Sequence, residues 1–168
     1  MRDFFKNNAE ILSSKLFLAV LGLKIISSFS LASNYLTHLF ARFVNYYVVS
    51  GFQNPYQFFY QLNELTVFPY PKIMLWIMAL PRWFFSLFLS ADYNFVSNFH
   101  IFIYRLPIIF ADIIIFLILA RWLRGKEDKV LKYYWCSPIL FYISYVHGQL
   151  DALPIIFLFI FLYFLFKE

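Results

Sequence analysis

Charge is scarce in this chain. Lys, Arg, Asp and Glu together make up 14% of its 168 residues, against about 25% in an ordinary soluble domain. Cysteine is nearly absent, with Cys136 alone, so a disulfide scaffold is excluded. Glycine numbers 4, which excludes a collagen-like fibre, and the low charge excludes a disordered tail. What is present is apolar and aromatic: 62% of residues are hydrophobic, with 24 Phe, 13 Tyr and 4 Trp. That balance predicts an all-α integral membrane protein. The net charge of +5 flanks apolar runs and sets topology rather than forming a groove for nucleic acid.

A span needs about 20 residues to cross roughly 30 Å of hydrocarbon. Four spans are expected, at 16–33, 101–123, 130–146 and 152–166. The run Arg121, Arg124, Lys126, Lys129 and Lys132 marks a cytoplasmic loop. Arg2, Lys6 and Lys15 place the N-terminus on the same side, and Lys167 agrees at the other end. Two cytoplasmic points need an even number of crossings between them, so one of three intervening apolar stretches should not span. Ile73–Leu89 is that stretch: Pro81 interrupts the helical hydrogen bonds and Arg82 would sit at its centre, at about 2.5–3.5 kcal/mol. Its Trp and Phe suit the membrane interface. The competing topology has it cross and puts the basic loop outside. Ser30-Leu31-Ala32 loosely resembles a signal-cleavage site, but Lys24 interrupts the apolar core before it.

Residues 34–100 then form a long external loop. Asn34 to Ser50 reads as an interfacial helix ended by Gly51. Asn54-Pro55 predicts the start of another, over Tyr56–Leu62. In Phe68-Pro69-Tyr70-Pro71-Lys72 the prolines force an extended segment. It either holds Tyr70 and Lys72 at the outer surface or simply leads into the next helix.

Two sets of polar residues stand out at membrane level. Arg105 and Asp112 share a face about two turns apart. Asp112 either pairs with another helix or lines a cavity, and Arg105 could meet an anionic group at the external end of its span. In the second loop, His147-Gly148-Gln149-Leu150-Asp151 supplies an imidazole, an amide and a carboxylate. The plain alternative makes Asp151 a helix N-cap, with Pro154 in the first turn and Gly148 permitting the turn. Cys136 reads as a packing residue.

The order of these pieces resembles the opening of GT-C-fold glycosyltransferases, membrane enzymes that use polyprenyl-phosphate-linked sugars. The matching residues are Asn54-Pro55-Tyr56, Phe68-Pro69-Tyr70-Pro71, Arg105-Leu106-Pro107 with Asp112, and His147-Gly148-Gln149-Leu150-Asp151-Ala152-Leu153-Pro154. They cover roughly residues 15–166. The resemblance implies that an external-loop carboxylate acts as base on a glycan or lipid acceptor while polyprenyl phosphate leaves. Carried over by position, Asp151 is that carboxylate, with His147 and Gln149 beside it. Lys72 or Arg105 contacts phosphate, and Tyr70, Asn54 and Asp112 complete the substrate-binding set. No cofactor is implied, and His147 with Asp151 falls short of a metal site.

Residues 34–60 contain no Asp or Glu, a departure from relatives with an early acidic residue. Such enzymes usually have about twice as many spans. The chain is therefore expected to be the N-terminal portion of a longer enzyme, or one half of a split one. The alternative is a non-catalytic membrane subunit docking to a larger partner.

Overall fold

A computed structural model describes residues 9–64 and 66–166. Arg2, Lys6 and Lys167, used above for topology, lie outside the described residues. The described chain is helical, without a strand. The α-helices are α1 (Ala9–Leu12), α2 (Lys15–Ser30), α3 (Ala41–Val49), α4 (Pro55–Gln61), α5 (Lys72–Phe84), α6 (Asn98–Trp122), α7 (Glu127–Val130), α8 (Pro138–Phe141) and α9 (Ala152–Leu165). Tyr35–Phe40, Leu131–Trp135 and Tyr142–His147 are π-helical, a form that often accompanies functional positions.

Among the described residues α6 is long and apolar enough to cross a membrane by itself. It coincides with the expected span at 101–123. α2 passes the same test only together with Tyr35–Val49, across a bend of 63°. The stretch 130–146 is interrupted at Cys136–Ser137, where Ser137 caps α8 and Pro138 opens it. α9 has 14 residues, about 21 Å of helix.

The chain divides into two compact units. The first contains Met1–Ser27 and Ile108–Glu168. Its apolar centre is Phe17, Phe116, Leu117, Val130, Leu131 and Trp135. Trp135 stacks on Phe17 with centroids 4.4 Å apart, and its Nε1 donates to the Phe17 carbonyl at 3.1 Å. In the basic loop the Gly125 N–H donates to Glu127 Oε1 at 2.9 Å. That bond favours the ionised carboxylate and holds it below its usual pKa.

The second unit is Ser28–Pro107. Aromatic rings build its core. Phe43 stacks on Phe68 at 4.9 Å and on Phe59 at 5.3 Å, with the Tyr56 ring edge-on at 4.8 Å. The helix expected at 34–50 is present as π-helical Tyr35–Phe40 followed by α3. It ends at Gly51, whose φ of +73° explains the glycine. Phe52 follows with φ +68°, unusual for a bulky side chain. Asn54 caps α4 as predicted, accepting the Tyr56 N–H at 3.1 Å. α5 runs through Pro81 instead of breaking there, and Arg82 turns inward at 1% exposure. At 13 residues, α5 measures about 20 Å, shorter than the hydrocarbon layer.

Candidate functional site

Within the first unit, three chain segments converge on Asp112 of α6. Lys24 of α2, 2% exposed, places its Nζ 2.8 Å from Asp112 Oδ2. The hydroxyl of Tyr145 donates to the same oxygen at 2.7 Å, and that of Tyr134 donates to Oδ1 at 2.8 Å. The Lys24 ammonium also lies 3.3 Å from the Trp135 ring centroid, a cation–π contact in a desolvated site. A carboxylate accepts on both oxygens and a π-face attracts the cation's other side, so both charges are compensated. Of the two readings left open for Asp112, this arrangement is pairing with another helix. Lys24, read from the sequence only as an interruption, is the partner.

The turn between Tyr142–His147 and α9 depends on Gly148, whose φ of +81° an L side chain rarely adopts. The Gly148 and Gln149 N–H groups both donate to the Ile143 carbonyl at 3.1 Å, which closes the turn. His147 and Gln149 are half-buried. The His147 ring lies edge-on to Tyr142, centroids 6.4 Å apart. Asp151 occupies the N-cap position of α9, but its side chain makes no cap hydrogen bond and is exposed. The expected capping role is therefore not what its carboxylate does, and both oxygens remain open to solvent or a ligand.

In the second unit, Tyr56 ties α4 to the proline-flanked segment by donating its hydroxyl to the Tyr70 carbonyl at 2.7 Å. Burial pushes the Tyr56 pKa up, which keeps that hydroxyl protonated. The half-buried Tyr70 ring rests edge-on against Phe40 at 5.4 Å. Pro71 is extended, with φ −68° and ψ 159°, and delivers exposed Lys72 to the first position of α5. A cavity of about 220 Å³ there is lined by Asn54, Tyr56, Lys72 and Trp76 among others. Asn54, Tyr56 and Lys72 thus come together, while Tyr70 holds the wall through its carbonyl. Arg105 is fully buried in this unit rather than presented at a surface.

Sequence reasoning missed a third set of residues: Arg82, Asn45, Tyr104 and His100, all buried in the second unit. The signal was Arg82 within an apolar stretch, since an isolated charge there implies an internal polar partner. Among the described residues, no group of three or more His, Cys, Asp or Glu is placed to hold a metal ion. Comparison with protein-family models, curated proteins and solved structures finds no match to this chain.

Proposed function

We propose that the chain is an integral membrane helical bundle and a module of a glycosyltransferase that draws its sugar from a polyprenyl phosphate. The membrane part of this reading rests on α6 and on the compensated Lys24–Asp112 pair between apolar helices. It also rests on the exposed Ile155, Phe157, Leu158, Phe161, Phe164 and Leu165 of α9, which suit lipid. The N-terminus and basic loop face the cytoplasm, and 34–100 and 147–151 face outward.

The observation that carries the activity is the exposed, uncommitted Asp151 carboxylate, set by the Gly148 turn at the head of an apolar helix. In the proposed reaction an acceptor hydroxyl on a glycan or lipid attacks the anomeric carbon. The bond from that carbon to the phosphate oxygen breaks, and its electron pair leaves with polyprenyl phosphate. Asp151 takes the hydroxyl proton as general base. His147 and Gln149 flank it as imidazole and amide. The test is Asp151→Asn in the full-length protein. Transfer should fall by about 10²–10⁴-fold, the usual contribution of a general base. Undiminished transfer by correctly inserted protein would remove Asp151 from the mechanism.

A second reading is favoured by the same apolar surface of α9: a non-catalytic subunit whose exposed helix packs against a larger membrane protein. Purification in mild detergent separates the two. Transfer that appears only with a co-purifying membrane protein, and survives Asp151→Asn, supports the subunit.

A further inference from the structure

The second unit holds a buried polar centre that sugar transfer does not use. Arg82 on α5 is 1% exposed. Its Nε donates to Asn45 Oδ1 at 2.7 Å and its Nη2 to the Ser90 carbonyl at 2.7 Å. The Tyr104 hydroxyl donates to the same Asn45 oxygen. Asn45 Nδ2 donates to the carbonyls of Tyr93 and Phe95 at 3.3 and 3.4 Å. Every acceptor in this centre is neutral. Arg82 has no carboxylate partner among the described residues, and its Nη1 is buried without a hydrogen bond.

His100 lies one turn before Tyr104 on α6, on the same face, and within electrostatic reach of Arg82. Its Nδ1 accepts the Ser97 N–H at 3.1 Å. A backbone N–H can only donate, so Nδ1 carries a lone pair and the imidazole proton sits on Nε2. His100 Nε2 is also buried without a partner. Both orphaned atoms are therefore donors, one on the buried cation itself and one on the neighbouring His100, and the cation meets no carboxylate among the described residues. Buried donors are rarely left unpaired. What would complete this centre is an acceptor, and a negative one.

We propose that Arg82 and His100 form an oxyanion site, taking a phosphate or carboxylate group through Arg82 Nη1 and His100 Nε2. Asn45 is a positioning residue: it holds the guanidinium by Nε and leaves Nη1 for the ligand. The irregular segment 89–97 covers the centre through the Ser90, Tyr93 and Phe95 carbonyls, so exchange requires that segment to yield. The anion could be free phosphate or the head of a phosphomonoester lipid. The site is independent of Asp151 and of the sugar-transfer reading.

The test uses the full chain in phosphatidylcholine nanodiscs. Inorganic phosphate is titrated against matched sodium chloride, and the His100 Nε2–H resonance is followed by NMR. A parallel sample carries phosphatidic acid in the nanodisc. A saturable shift with phosphate, with phosphatidic acid, or with both is expected, and which arm responds names the source. His100→Leu should weaken binding about tenfold, the loss of one charge-assisted bond, and His100→Gln, which keeps a donor, should retain most of it; for both variants binding is read as thermal protection. No shift with either probe in folded wild-type protein overturns the proposal. So does an equal shift with chloride, or unchanged binding by His100→Leu. Because the wild-type titration decides by itself, a variant that fails to fold leaves the test intact.

Discussion

Consider the Lys24–Asp112 pair, 2.8 Å apart and sealed by Tyr134, Tyr145 and Trp135. Asp112→Asn keeps an oxygen for one tyrosine hydroxyl and turns an NH2 toward the other, whose oxygen can accept from it, but it strands the Lys24 ammonium. Removing one member of a buried pair costs about 3–5 kcal/mol. Lys24→Met strands the carboxylate instead, and a loss of similar size is expected. Met also forfeits the cation–π contact with Trp135, about 1–2 kcal/mol, partly offset by a sulfur–ring contact. The double variant Lys24→Met with Asp112→Asn removes both charges and leaves each hydroxyl an amide partner, one donating to the oxygen and one accepting from the NH2. It should therefore lie within about 2 kcal/mol of the wild type, well short of the sum of the single losses. Denaturant unfolding in detergent micelles, followed by intrinsic tryptophan fluorescence, measures all four proteins. Trp135 lies in the network and reports on it directly. If the double variant loses the sum of the two single losses, the charges do not compensate one another and the account of this centre fails.

Other expectations follow from local geometry. Gly148→Ala should destabilise by about 1–2 kcal/mol, because it places a Cβ on a left-handed residue; unfolding midpoints of the two proteins check this. Asn54→Ala should cost about 1 kcal/mol by leaving the Tyr56 N–H uncapped, whereas Asn54→Gly should cost only a few tenths; equal losses would mean that the cap contributes nothing. For topology, Lys126→Cys and Gln53→Cys in a Cys136→Ser background should react with an impermeant maleimide from opposite sides of the membrane. Labelling of both from one side would contradict the proposed arrangement.

The parts of the fold that were legible in the sequence are those fixed by neighbours along the chain. Asn54-Pro55 announces α4 because capping needs only a side-chain oxygen two residues from its donor. Gly51 and Gly148 mark turns because their backbone angles are local properties. The buried networks are different in kind. Asp112 meets Lys24 across 88 residues, and Arg82 meets Asn45 across 37. No periodicity reports which polar residue in one apolar stretch faces which in another. Arg82 shows the consequence. Its expense at the middle of a crossing was readable, but its actual solution, an inward turn onto Asn45 and the Ser90 carbonyl, was not. The left-handed Phe52 was equally hidden, since nothing in its type suggests that backbone. At the candidate site, His147, Gln149 and Asp151 were legible as a cluster, because five consecutive residues must stay close. That Asp151 would leave its cap unmade was not.

The most direct test of the central claim is the release of polyprenyl phosphate in proteoliposomes. The full-length protein is supplied with an isotope-labelled polyprenyl-phosphate sugar and an acceptor alcohol, and both products are quantified by mass spectrometry. Glycoside and free polyprenyl phosphate should appear in equal amounts with the wild type. With Asp151→Asn both should fall together by at least about 10²-fold. Release that proceeds at the wild-type rate in Asp151→Asn, with the protein inserted and folded, would contradict the claim.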